Sequence, residues 1–234
     1  MAAMLCDHIW FALASGNDWL TSIGRIAFPI FAFMIVEGFF HTKNLKKYVK
    51  RLLFFAVISE IPFNLIAGGG IFYPLHQNVL WTFLIGIGLI WINEKFEKKG
   101  VAIRFLVGAG TAALGFLLGL ISFCDYHYAG ILTVLVFYFF RGRKPLDFIA
   151  QAVCLWYINF EIIGGFSYIL NIFGKEVYFP QQGFALLALI PIWLYRGKQG
   201  IYNKALKTVY YWFYPAHLLA IWLIKEAMQS FIPA

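Results

Sequence analysis

The stretch GRIAFPIFAFMIVEGFFHTKNLKKYVKRLLFFAVISEIPFNL, residues 24–65, holds two long apolar runs joined by a short basic connection carrying Lys43, Lys46, Lys47, Lys50 and Arg51. A helix needs about 20 predominantly apolar residues to cross a bilayer core. Two such runs with a lysine-rich hinge between them predict a pair of antiparallel membrane helices with the hinge in the cytoplasm.

The rest of the chain repeats the pattern. Of 234 residues, 62% are hydrophobic, 20% aromatic and only 13% charged, with a mean hydropathy of +0.75; soluble domains carry about 25% charged residues. The expected fold is all-α, a polytopic integral membrane helical bundle of about nine transmembrane helices. Apolar runs place them near residues 2–15, 20–41, 47–67, 77–94, 102–122, 126–140, 146–164, 181–195 and 206–229. The first run is short for a spanning helix. No linker or charged tract divides the chain, so residues 1–234 read as a single domain. Ala12-Leu13-Ala14 before Ser15 invites comparison with a signal-peptide cleavage site, but no Lys or Arg precedes the run, and Asp7 and His8 interrupt it.

Orientation follows from the basic residues, which collect in every second connection. Besides the five above, Lys95, Lys98, Lys99 and Arg104 follow the fourth run, Arg141, Arg143 and Lys144 the sixth, and Arg196, Lys198, Lys204 and Lys207 the eighth. Only Arg25, Lys175 and Lys225 lie elsewhere. The N-terminus is then inside and the C-terminus outside. A formal charge of +8, divided among short loops beside membrane runs, points to the lipid bilayer as partner rather than to nucleic acid.

An ionisable side chain in hydrocarbon costs at least ~2.5 to 3.5 kcal/mol, so each one inside a run is a functional candidate. In MLCDHIWFALA, Asp7 and His8 stand side by side about 10 Å into the first helix at roughly 1.5 Å per residue. Arg25 enters the second helix and Glu60 lies in the outer half of the third. The outer connections supply His76, Gln77 and Asn78, then Asp125, Tyr126 and His127, then Gln181 and Gln182; YPAH in the last helix adds Tyr214 and His217. Acids, imidazoles and amides thus gather at mid-membrane and in the outer half, while the inner connections are basic. A reaction centre set toward the outer face and fed by an anionic molecule from inside would produce this asymmetry.

Structural readings compete with that one. Arg25 is expected to form an ion pair with Glu60 or Asp125, since buried charges in membranes pair. Glu37 and His41, four apart, read as a surface contact. His76 and His127 lie at the outer interface, where water solvates them. Pro29, Pro62 and Pro215 mark kinks, and Gly68 to Gly70 form an outer turn. Successive helical residues point about 100° apart, so Asp7 cannot orient His8 on a shared face; Tyr214 and His217, three apart, do share one. Cys6, Cys124 and Cys154 read as buried small hydrophobes. Five histidines without an H-x-x-x-H pair give no metal site, and neither a G-x-S-x-G elbow nor a phosphate loop occurs.

The motifs DHIW, the opening stretch, HQNVLWTFLIG, DYHYAGIL, FALLALIPI and YPAHLL together resemble the TraX family of conjugation, named for a membrane protein that N-acetylates the F-pilin amino terminus. The resemblance runs over nearly the whole chain in the family's order, and more distantly it extends to transmembrane acyltransferases. It implies a multi-pass protein of the bacterial inner (plasma) membrane. That protein would move an acetyl group from cytoplasmic acetyl-CoA to an exported amine or hydroxyl acceptor, a peptide amine or an envelope glycan. His8 would correspond to the histidine of the wider group and act as general base, with an acetyl-histidine intermediate as the other route. Arg25, Gln77 or Asn78 would stabilise the oxyanion, and Glu60 or Asp125 would orient the imidazole or the acceptor ammonium. His217 and Asp7 complete the candidate catalytic set. His76, Gln77, Asn78, Tyr126, Gln181, Gln182 and Tyr214 would line the acceptor site, and Lys46, Lys47, Arg141 and Arg143 would hold the coenzyme A phosphates. An arginine found about ten residues before that histidine in many sugar acyltransferases has no counterpart here. Two other classes fit the buried charges: a permease that relays protons or solute, and a non-catalytic assembly factor.

Overall fold

A computed structural model describes residues 1–198, 200 and 203–230, apart from the side chain of Lys204. Helices α1 (Ala2–Leu13), α2 (Asp18–Gly24), α3 (Ala27–His41), α4 (Leu45–Gly68) and α5 (Val79–Lys95) form the first half. The second half contains α6 (Val101–Ile121), α7 (His127–Phe139), α8 (Pro145–Tyr157), α9 (Leu189–Leu194) and α10 (Lys204–Ser230). α8 runs on into a π-helical turn, Ile158–Ile163, and α9 is preceded by a 3-10 segment, Gln181–Ala188. Among the described residues, four helical stretches are long and apolar enough to cross a membrane: Asp18–His41, Leu45–Gly68, Val101–Ile121 and Pro145–Ile163. Ala2–Leu13, His127–Phe139 and Gln181–Leu194 are shorter apolar helices.

Local chemistry sets the boundaries. Asn44 and Asn78 cap α4 and α5, their side-chain oxygens accepting from the amides of Lys47 at 2.9 Å and Leu80 at 3.0 Å, which satisfies amides left open by the first helical turn. α4 stops at Gly69, whose φ of +70° suits the left-handed C-cap that glycine adopts freely. α1 buries none of its residues and at 12 residues is about 18 Å long, short of a bilayer core.

The purely helical expectation needs one correction. Between α8 and α9 stands a two-stranded antiparallel hairpin, β1 (Ser167–Ile172) and β2 (Lys175–Pro180), with Ile172 paired to Lys175. Phe173 and Gly174 make its two-residue turn at φ of 52° and 77°, the doubly positive geometry that matches strand twist.

Two apolar cores hold the bundle. The larger joins α3, α5, α7 and α8 through residues such as Ala32, Val36, Ile90, Val134 and Leu155, which are fully buried. The smaller joins α4 to α10 through Phe63, Ile66, Tyr214, Leu218 and Ile221, with α1 laid against it through Met4, Leu5 and Ile9. α6 meets α7 along Gly108, Gly115 and Gly119, and a Cβ at Gly119 would run into the Tyr128 backbone. Small residues of this kind let membrane helices approach closely.

The basic connections share one end of the bundle. Arg141 binds Glu37 at the end of α3, Arg143 donates to the Tyr195 carbonyl after α9, Tyr138 donates to Glu94 of α5, and Arg51 lies over the Tyr211 ring. At the opposite end the amide of Asp125 donates to the Gln77 carbonyl, Tyr168 of the hairpin donates to the Ser22 hydroxyl, and Gln181 donates to the Phe166 carbonyl.

Candidate active site

Between the two cores lies a cavity of about 190 Å³ whose wall is almost wholly apolar. It runs from Leu52, Phe55, Tyr210 and Tyr211, toward the basic end, to Asp7, His8, Asp125, Tyr126 and Tyr214. Phe28, Phe83, Val79 and Leu80 line it between. Its polar groups therefore converge at one end of a greasy passage, the arrangement expected of a small-molecule site.

His8 is the centre of that end. Its Nδ1 lies 2.5 Å from Nε2 of His217, and Nδ1 of His217 lies 2.5 Å from the carbonyl of Phe213. A carbonyl only accepts, so Nδ1 of His217 carries the proton and donates. In the neutral ring Nε2 of His217 is then an acceptor, and it takes the Nδ1 proton of His8. Nε2 of His8 is left with a free lone pair on a ring that lines the cavity. A base oriented by a partner on its other nitrogen is the arrangement nucleophilic and acid–base sites share. The Tyr214 ring sits 5.9 Å from that of His8. Its hydroxyl is buried beside the Val79 backbone amide, and its proton has no acceptor among the described residues.

Asp7 points elsewhere. It accepts from the Thr21 hydroxyl at 2.9 Å and faces Arg25 at 3.9 Å, while Gly24 packs so tightly on it that a Cβ there would clash with the Asp7 side chain. Arg25 also meets the Tyr126 hydroxyl. The expected partners of Arg25, Glu60 and Asp125, are thus corrected to Asp7, because Arg25 sits at the joint of α2 and α3, directly against α1.

Asp125 occupies a tense turn. Phe123, Tyr126 and His127 have φ of 50°, 60° and 46°, conformations that cost non-glycine residues about 1–3 kcal/mol each and persist where the surroundings enforce them. Stacking of Tyr126 on Phe28 at 4.0 Å, the Thr82 hydroxyl on the Asp125 carbonyl at 2.6 Å and the Gln77 strand bridge supply that enforcement. His76 donates from Nε2 to the Asp125 carboxylate at 3.3 Å, and this bond holds the imidazole above its usual range. A raised histidine contributes stability below its ordinary value of about 6.5 and loses it as pH climbs through the raised one. The melting-temperature gap between the wild type and His76→Gln in detergent is therefore expected to be largest near about pH 6 and to close by about pH 9. An unchanging gap would remove the charge-assisted pairing.

The remaining sequence candidates divide. Glu60 accepts from the Asn78 side chain and from the Trp81 indole at 2.9 Å, and Asn78 also donates to the Ala56 carbonyl. The Gln77 amide donates to the Tyr73 and Pro74 carbonyls. These amides brace the α4–α5 connection, so their donors are occupied and do not face the cavity. Gln181 and Gln182, both buried, donate to the Asp18 carbonyl and to Asn159, tying the 3-10 segment to α2 and the π-helical turn. Glu37 pairs with His41 as expected and more closely with Arg141.

The four basic residues predicted to act together are split. Lys46 and Lys47 are exposed at the start of α4, about one and a half turns before Leu52 of the apolar cavity. Arg141 and Arg143 line a separate polar cavity against Phe33, Glu37 and His41, the opposite face of α3 from Phe31 and Ile35. Thr21, Gly24 and Arg51 were not singled out from the sequence; Arg51 follows Lys47 by four residues and Thr21 precedes Arg25 by four, spacings that place each pair on one helix face.

The His8–His217 imidazole pair at the polar end of an apolar cavity, together with helices of membrane-spanning length, makes this a membrane protein with a candidate acid–base site. The chain belongs to the TraX family: the family model described as TraX protein matches residues 1–225. It is also 27% identical over 253 aligned positions, covering 97% of this chain and 93% of the relative, to the probable fimbrial assembly protein FimC, serogroup H1, of Dichelobacter nodosus. No solved structure matches it.

Proposed function

We propose that this protein is a membrane-embedded acetyltransferase that takes the acetyl group of cytoplasmic acetyl-CoA and passes it to an amine or hydroxyl acceptor on the outer side. A pilin amino terminus or an envelope glycan is the kind of acceptor meant. The observation that carries the reading is the His8–His217 relay, which leaves a free imidazole lone pair at the polar end of an apolar passage. Support also comes from membership of the TraX family, for which the sequence resemblance implies pilin acetylation, and from the fimbrial name of the relative.

In this reading the basic end faces the cytoplasm and the thioester arm enters past Tyr210, Tyr211 and Leu52. Lys47 and Arg51 stand on the side where the coenzyme phosphates would remain, and Arg141 and Arg143 do not. Nε2 of His8 takes the proton of the acceptor as its nitrogen or oxygen attacks the thioester carbonyl. The new C–N or C–O bond forms, the C–S bond breaks, and the proton leaves with the thiol. The free Tyr214 hydroxyl is the donor available to the developing oxyanion, a role the occupied amides of Gln77 and Asn78 do not fill. Asp125, at the outer end, attracts an acceptor ammonium, which gives up one proton to water there and moves on to His8 as the neutral amine, with His76 holding the carboxylate in place.

The test is reconstitution into sealed vesicles with labelled acetyl-CoA on the basic side and an amine-bearing peptide on the other. Label appearing on the peptide together with free thiol sustains the proposal. Solute or proton flux without thioester consumption would assign the same buried charges to a permease instead.

A further inference from the structure

The second cavity, of about 310 Å³, is as polar as the first is apolar. Arg141, Arg143 and Arg196 line it with His41, and Glu37 is the acidic residue among its walls. Glu37 is engaged by Nε of Arg141 at 2.7 Å, and Arg143 spends one donor on the Tyr195 carbonyl. Arg196 is exposed. Three exposed arginines lining a cavity with a single carboxylate leave an excess of positive charge and several unspent N–H donors around it. Phosphate oxygens satisfy such forks two donors at a time.

The rim of this cavity points to where the phosphate comes from. Trp193 lines the pocket, donates to Gln151 at 2.8 Å, and is still 38% exposed beside Leu194 at 73% and Ile190 at 57%. A soluble phosphate compound gains nothing from that apolar margin. A lipid does, because its headgroup would fill the polar cavity while its chains follow the greasy surface of α9. We propose that this cavity, at the basic end and on the face of α3 turned away from His8, binds the phosphodiester headgroup of an anionic membrane phospholipid. The proposal goes beyond the catalytic reading and stands without it.

Native mass spectrometry of the full chain, extracted in mild detergent and mixed with phosphatidylglycerol or phosphatidylcholine, reads this directly. Phosphatidylglycerol is expected to stay bound at stoichiometry one and phosphatidylcholine to be lost. Removing two guanidiniums in R143Q/R196Q should weaken phosphatidylglycerol retention about tenfold, while K98Q/K99Q, with equal loss of charge in the α5–α6 connection, should leave it unchanged. Should the double variant fail to fold, R196Q alone, at an exposed position, serves in its place with a smaller loss. Equal retention of both lipids, or retention unaffected by the arginine variants, overturns the proposal. Displacement of phosphatidylglycerol by millimolar glycerol phosphate or coenzyme A also overturns it, since the cavity would then take a soluble phosphate.

Discussion

Exchange of His8 for alanine is expected to reduce acetyl transfer about a thousandfold, within the 10²–10⁴ that a positioned general base contributes, with the acceptor KM little changed. His217 is expected to separate into two effects. His217→Ala removes the acceptor for the His8 Nδ1 proton, freeing the ring to rotate and to adopt the other tautomer, and should cost about a hundredfold. His217→Gln keeps a carbonyl oxygen in reach of that proton and should recover a good part of the loss. The pH–rate profile distinguishes orientation from simple packing, because a base with a changed partner shifts the acidic limb of kcat. Full turnover in His8→Ala, or identical profiles for the alanine and glutamine variants at 217, would end the relay as a mechanism.

The second large effect concerns stability. Asp7 and Arg25 are 21% and 19% exposed, so their charges are mostly withdrawn from water. Deleting one partner of such a pair strands the other. Asp7→Ala should therefore destabilise the detergent-solubilised protein by about 3 kcal/mol, the lower end of the range for broken buried pairs. Arg25→Leu alone should cost a similar amount, and the double variant should cost less than the sum by about 1 kcal/mol or more. Thermal unfolding of the four proteins gives the cycle. Strict additivity would mean that the 3.9 Å approach carries no energy of its own and that the Thr21 hydrogen bond is what Asp7 contributes.

The helices were legible because hydrocarbon imposes a length and a composition that survive in the residues alone. The runs containing Ala27–His41 and Leu45–Gly68 could scarcely be read otherwise. The hairpin was not legible, since Ile169, Leu170, Ile172, Val177 and Tyr178 put apolar groups on both faces of the strands and erase the alternation that marks a half-buried sheet. NIFGKE, with glycine second in the turn, was the available signal. For the site, hydropathy gives depth but not azimuth. Depth brought His8 and His217 into one candidate set. It could not tell that Arg25 turns to Asp7, that Asn78 is consumed by Glu60 and Ala56, or that α3 separates Lys47 from Arg141.

The helix that carries His8 buries none of its own residues, which changes how its adjacent Asp7 and His8 can be viewed. Side by side, they leave the helix in directions about 100° apart, one fastened to α2 and Arg25, the other to His217 on α10. A rod tied at two bearings cannot roll about its axis. Inserting or deleting one residue ahead of Asp7 would leave this azimuthal lock intact, whereas separating the pair by a single inserted residue would force the helix to choose between its two moorings. Their adjacency in sequence is thus the setting screw for the aim of the imidazole.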